Sequence, residues 1–307
     1  MHSHHHHDHS HYHSEKRERS FNLAFTVAVT LTVGYTLGEA FYGLKANSMS
    51  LLADAAHNLG DSLGLIFAWI ANWLLTFPAR KRYSYGFKRT TIIAALINAF
   101  ILVATSTLIA YESIYKLFHL TSTNEITVLI VAFIGILING GSSLLFRHGA
   151  STDLNIRSAF WHLLADALIL GGVVISAVII YYTGWHWVDP TVGLIIVGIV
   201  LWGTWGLLRD SLRLILDAVP HYIDYNGVRE YLTNYPGVEK IHDLHIWGLS
   251  TREVALTVHL IMPNTPLTDT DYKTINNTLH TEFRINHATI QVESGHVDNV
   301  CIRSEVC

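Results

Sequence analysis

The chain has 307 residues, half of them apolar, with only 14% charged and 2 cysteines; it is too hydrophobic for an ordinary soluble protein, and neither a disordered chain nor a disulfide scaffold fits. The formal charge of −4 is unevenly spread, since residues 220–307 carry 6 Lys+Arg against 11 Asp+Glu and residues 1–219 carry 14 against 13. No basic face for phosphate emerges, so nucleic acid is excluded as a partner.

Residues 1–20 form a His-rich tail. Eight of the chain's 20 histidines fall within MHSHHHHDHSHYH. The interruptions by Ser, Asp and Tyr read as a native metal-collecting tract rather than an affinity tag; a passive, solvated tail is the plain alternative. Six windows then reach the roughly 20 apolar residues that a membrane helix needs: 21–44, 51–77, 91–117, 126–146, 159–183 and 190–208. The first of them is long enough to span, so it is not a secretory signal. Together they make a six-helix transmembrane domain over 21–210, a helical membrane protein embedded in the lipid bilayer.

Orientation follows from the cationic connections. Lys16, Arg17 and Arg19 precede the first span, Arg80, Lys81, Arg82, Lys88 and Arg89 join spans two and three, Arg147 and Arg157 join four and five, and Arg209 and Arg213 follow six. The opposite connections hold only Lys45 and Lys116, so both termini are expected in the cytoplasm. Glu112 and Lys116 stand at i and i+4 and predict a local ion pair. Tyr181, Tyr182, Trp185 and Trp187 read as an interfacial aromatic belt. A bacterial inner membrane is the favoured location, a vesicle membrane the alternative.

After a linker over 211–219 the composition turns polar, and residues 220–307 read as a cytoplasmic domain. A helix near 224–234 and a strand near 238–248 come first. Val254, Leu256, Val258, Leu260 and Met262 then alternate with Ala255, Thr257, His259 and Ile261, a strand pattern. Ile275, Leu279 and Phe283 recur at helical spacing, and Ala288, Ile290 and Val292 alternate again. The order αββαβ suits a small α+β, ferredoxin-like or metallochaperone-like domain, with two helices on one face of a three-stranded sheet.

Ionisable groups at membrane depth are costly and mark function by default. Span two, in SLLADAAHNLGD, holds Asp54, His57 and Asp61; span five, in FWHLLADALIL, holds His162 and Asp166. In each, His and Asp stand at i and i+4, one turn apart on one helical face. Two such pairs brought together would supply two imidazole nitrogens and two carboxylate oxygens, a tetrahedral set suited to Zn2+ and open to Co2+, Cd2+ or Mn2+. Hydrogen bonding within the bundle is the bland alternative. Glu39 and Asp54 are read as lining a wet exit vestibule or reaching the interface.

With those features in place the chain resembles the cation diffusion facilitator family, in its zinc-transporter branch. The likeness rests on the six spans, the αββαβ domain, HxxxD in spans two and five, and the stretches SLLADAAHNLGD, YSYGF and LHIW. It implies a homodimeric zinc/proton antiporter that moves a divalent cation out of the cytosol, with His57, Asp61, His162 and Asp166 as the transport site. Proton and metal compete for the same ligands, and an imidazole titrates near cellular pH, so His57 and His162 are the expected proton carriers. Alternating access then exposes the site to each side in turn.

The resemblance further implies a cytoplasmic zinc site built from His242, His259, His287, Glu293, Cys301 and Cys307, the two cysteines here spaced C-x5-C; exposed polar strand residues are the alternative. It also points to Arg89 and Asp217 as a charge interlock between span three and the segment after span six. The connection ARKRYSYGFKRTT has no His, Asp or Glu, so the extra site some relatives carry there is not expected. Two other function classes compete. A membrane-embedded zinc metalloenzyme would keep an open coordination position beside a general base, whereas two HxxxD pairs fill all four places and HExxH is absent. A metal sensor would have no use for an ionisable site in the membrane.

Overall fold

The computed structural model describes residues 30–147, 154–264 and 267–294. The N-terminal His tract, Cys301 and Cys307 lie outside these described residues. Six long helices come first: α1 over 30–46, α2 Met49–Leu75, α3 Thr90–Phe118, α4 Glu125–Phe146, α5 Leu154–Thr183 and α6 Val188–Ile215. They are followed by α7 Tyr225–Thr233, β1 Lys240–Gly248, β2 Val254–Ile261, α8 Asp269–Thr281 and β3 His287–Glu293. Among the described residues, Thr90–Phe118, Glu125–Leu144, Phe160–Thr183 and Val188–Ile215 are long and apolar enough to cross a membrane. The 27-residue α2 has the length, about 40 Å at 1.5 Å per residue, but Asp54, His57, Asn58 and Asp61 dilute its hydropathy.

The described chain divides into two compact units. One takes residues up to Leu63 together with Ile101–Gly203; the other takes Gly64–Phe100 together with Thr204 onward. In the first, Tyr35 and Ala46 of α1, Leu51 and Ala53 of α2, Leu102 of α3, Val128, Val131 and Ala132 of α4, Leu170, Val173 and Ala177 of α5, and Ile196, Val197 and Val200 of α6 form one apolar core. Small residues let these helices approach, as expected where packing rather than hydrophobicity drives association. A Cβ on Gly60, next to Asp61, would stand 2.1 Å from Leu102.

The turn from α1 to α2 is fixed by Asn47, which takes a left-handed φ of 55°. Ser48 N–H bonds to Gly43 O and Asn47 N–H to Leu44 O, a Schellman stop. Lys116 donates to the Asn47 carbonyl at 2.9 Å and to its side-chain oxygen, in place of the expected pairing with Glu112. An exposed i,i+4 ion pair is worth a few tenths of a kcal/mol, less than two acceptors already held by a tight turn. Asn124 caps α4 by accepting from Thr127 N–H at 3.0 Å. Tyr181, Tyr182, Trp185 and Trp187 are exposed, as an interfacial position requires.

In the second unit the sheet order is β1-β2-β3, with β1 antiparallel and β3 parallel to the central β2. The parallel pair needs a crossover, and α8 supplies it, started by a capping box between Thr268 and Asp271. Val254, Leu256, Val258 and Leu260 of β2 pack with Val228 and Leu232 of α7 and Ile275 and Leu279 of α8. The period of two thus sends alternate β2 residues to the helices and leaves Thr257 and His259 on the opposite face. The ladder between β1 and β2 is irregular from His242 to His245, where Asp243 has φ 54°. Lys88 pairs with Glu253, and Thr251 N–H bonds to Thr91 Oγ1 at 3.1 Å.

Candidate metal centres

Two helices of the first unit carry the intramembrane candidates. On α2, His57 and Asp61 stand one turn apart with Nε2 to Oδ2 at 3.8 Å; on α5, His162 and Asp166 do the same at 3.6 Å. Across the helices, His162 Nε2 lies 3.4 Å from Asp61 Oδ2, and His57 Nε2 lies 4.0 Å from Asp166 Oδ1. Each imidazole therefore sits between both carboxylates, with ring centroids 6.2 Å apart at 76°. With ligand bonds of about 2.0–2.2 Å, a regular tetrahedron around Zn2+ has edges of about 3.3–3.6 Å. The four His–Asp separations start at that edge length and exceed it by a few tenths of an ångström, whereas no three of the four ligand atoms lie mutually within 4.8 Å. The two imidazoles and the two carboxylates thus each stand wider apart than a tetrahedral edge and must close in to grip a zinc-sized ion.

Asp166 is 2% exposed in its side chain, His57 20%, Asp61 33% and His162 48%. One flank is thus sealed and the other accessible. Asp166 Oδ2 and His57 Nδ1 are buried without a hydrogen-bond partner. Carboxylates are tolerated at membrane depth when a counter-charge compensates them, and this set of imidazole and carboxylate donors suits a divalent cation in that role.

The second candidate lies on the sheet face turned away from the helices. His242 Nε2 is 3.1 Å from Glu293 Oε2, and His259 Nδ1 is 2.8 Å from Glu293 Oε1. The second contact is short yet off the direction a hydrogen bond needs, as when two ligand atoms aim at a common point. Strand register accounts for the meeting: His259 pairs with His242 on one side and with Gln291 on the other, and Glu293 follows two residues on, opposite Ile261. Among the described residues these three alone have ligand atoms mutually within 4.8 Å. Partial burial works against the Glu293 charge, but the hydrogen bond from His242 and the rings of His242 and His259 outweigh it and hold the carboxyl below its usual range.

Two residues that the sequence reading passed over join this face. The irregularity after His242 turns Asp243 back, its Oδ2 3.7 Å from His259 Nε2 and its Oδ1 2.9 Å from His245 Nε2. Asp tolerates the left-handed conformation better than most residues, so HDLH was the available signal. His287 is not brought to the cluster: it pairs with Ala255 at the other end of β3 and meets Tyr85 edge-on, centroids 5.9 Å apart. Arg89 Nη2 reaches Asp217 Oδ1 at 2.6 Å, both about half exposed. Asp217 is the left-handed residue that ends α6, where Ala218 N–H bonds to Arg213 O.

Glu39 and Asp54 were expected at a wet surface, and the structure encloses both completely. Tyr35 donates to Glu39 at 2.9 Å and to the Val131 carbonyl of α4 at 3.3 Å, and Asn58 donates to Asp54 at 3.1 Å.

Long apolar helices that bring His and Asp side chains together, joined to an αββαβ domain with a His/His/Glu cluster, fit a membrane transporter of divalent cations, and the chain belongs to the cation diffusion facilitator, or cation efflux, family. It matches the cation efflux transmembrane domain over residues 25–216 and the cation efflux protein cytoplasmic domain over residues 220–295. It is similar to the metal cation efflux system protein CzcD of Cupriavidus metallidurans, 34% identical over 268 residues, 87% of this chain and 85% of that protein. It is 32% identical over 273 residues to the cadmium, cobalt and zinc/H(+)-K(+) antiporter of Bacillus subtilis, 87% of this chain and 88% of that one. To the zinc transporter ZitB of Escherichia coli it is 34% identical over 269 residues, with 87% and 85% covered. These relatives are transporters, not enzymes.

Proposed function

We propose that this protein exports Zn2+ from the cytosol in exchange for protons by alternating access, holding the cation at a tetrahedral site made by His57, Asp61, His162 and Asp166 between α2 and α5. The observation that carries the reading is the placement of each imidazole between both carboxylates, at 3.4–4.0 Å. All four ligands bind metal only when deprotonated, so protons arriving from the far side eject the ion, and His57 and His162 carry them. Cd2+ and Co2+, cargo in the printed name of the Bacillus relative, suit the same donors. In this reading the chain spans a membrane six times with both termini cytoplasmic, as its Lys and Arg distribution favours. It works as a homodimer, and the bacterial inner membrane is its location.

His242, His259 and Glu293 form a second, cytoplasmic zinc site in this proposal, with Asp243 beside it, and Arg89 with Asp217 acts as a charge interlock. The domain division follows the sequence: a tail to residue 20, helices over 21–210, a linker over 211–219 and the cytoplasmic domain from 220. The deciding experiment is zinc uptake into proteoliposomes under an imposed pH gradient. Asp61→Ala and Asp166→Ala should each abolish uptake. Parent-like uptake in both would refute the assignment.

A further inference from the structure

A second pair of ionisable side chains in the first unit has no part in the ligand set. Neither Glu39 of α1 nor Asp54 of α2 exposes any surface, and their carboxyl groups are within hydrogen-bond reach of each other. Each has one oxygen satisfied: Tyr35 donates to Glu39 Oε1 at 2.9 Å, and Asn58 Nδ2 donates to Asp54 Oδ2 at 3.1 Å. The other oxygen of each, Glu39 Oε2 and Asp54 Oδ1, is buried with no donor. The groups that face the pair are Tyr35 from α1, Asn58 from α2, the Val131 carbonyl of α4 by way of Tyr35, and Asp166 of α5, whose charge acts on both carboxyls. Among the described residues, no cationic side chain acts on either carboxyl.

Two carboxylates that share a buried site without a cation do not both stay ionised, and an orphaned buried acceptor is costly. One hydrogen answers both problems, because carried by one carboxyl group it is donated to the other. We propose that Glu39 and Asp54 together bind a single proton, and that this proton is among those a cation displaces when it enters the neighbouring site. This deepens the transport reading above and rests on it.

The step is a simple ionisation. A divalent cation arriving beside Asp166 favours the doubly ionised pair. The shared O–H bond breaks, its electrons remain on the carboxylate oxygen, and H+ leaves to water on the side from which the cation came. When the cation departs to the far side, a proton from that side restores the bond. Tyr35 and Asn58 are positioning residues, each satisfying one oxygen of its carboxyl and leaving the other without a donor.

The test uses the full-length protein in detergent with Zn2+ as the probe, read in two ways: the infrared carbonyl band of a protonated buried carboxyl, and the protons released per zinc bound in weak buffer. The parent should show the band and lose it on saturation with zinc. Glu39→Gln and Asp54→Asn should lack the band and release fewer protons per zinc while binding as many zinc ions. Asp61→Asn should keep the band, whatever zinc is added. The proposal is overturned by a parent band that saturating zinc leaves unmoved, by a band that survives in both Glu39→Gln and Asp54→Asn, or by parent-like proton release in both. Should either variant fail to fold, the parent's response to zinc and Glu39→Asp, which keeps a carboxyl, decide alone. Failure of the transport-site assignment has a different mark, namely unaltered zinc uptake in Asp61→Ala and Asp166→Ala.

Discussion

Asp189, at the start of α6, holds the beginning of α2 in place. Its Oδ1 accepts from the Ser48 and Ser50 hydroxyls and its Oδ2 from Met49 N–H, all three at 2.6 Å, and it is 1% exposed. Asp189→Ala strands three buried donors. The two hydroxyls already lie 3.1 Å apart and can bond each other, so the loss falls mainly on Met49 N–H and one hydroxyl. At about 1–3 kcal/mol for each buried donor left unmade, the cost is roughly 2–6 kcal/mol. The carboxylate also loses its place in the first turn of α6, worth about 0.3–1 kcal/mol. A loss of about 3 kcal/mol moves the unfolding midpoint by roughly 6–12 °C for a unit of this size. Asp189→Asn, which keeps one acceptor, should fall between parent and Ala. Ser50→Ala, which removes a donor and leaves the carboxylate two others, should cost about 1 kcal/mol. The assay is thermal unfolding of the detergent-solubilised protein followed by size-exclusion fluorescence. An Ala variant that melts within about 2 °C of the parent would refute this account of how α2 is anchored.

Gly135→Ala would place a Cβ 2.2 Å from the Tyr35 hydroxyl and 2.6 Å from Leu170; overpacking of this kind should cost about 1–3 kcal/mol in the same melt. Arg89→Ala removes a half-exposed ion pair, so its melt should change by about 1 kcal/mol or less, and a large loss of transport without a loss of stability would mark the pair as functional. Zinc titration of the 220–307 segment should lose a site in His259→Ala and in Glu293→Gln but keep it in His287→Ala; an equal count in all three contradicts the clustering. Because the folded Glu293 carboxyl sits below its ordinary value of 4.5, its stabilisation is complete above that pH and is lost as pH falls through the lower, folded value. With chelator present, the stability difference between parent and Glu293→Gln should therefore close on acidification below about pH 4.5. A difference that stays constant there rejects the sign.

The cytoplasmic fold was legible because its elements declare their own periods: alternation in 254–262 sets β2, and Ile275 with Leu279 sets α8. The His–Asp pairs of α2 and α5 were legible for the same reason, since i,i+4 spacing is a local property of a helix. What sequence does not carry is the partner from another element. Glu39 looked like a helix-end residue, yet the folded unit leaves none of it exposed, and Lys116 looked paired with Glu112 until the Asn47 turn offered better acceptors. Asp243 was hidden by a backbone irregularity that no period announces, and His287, on the same face of β3 as Glu293, was separated from it by distance along the strand.

His242, His259 and Glu293 come from β1, β2 and β3 respectively, so the trio samples both borders of the sheet and its middle. An ion gripped by them would act as a rivet through all three ribbons, and amide exchange at the outer two would slow together whenever metal is abundant. Cytosolic zinc would then be written into the stiffness of the domain.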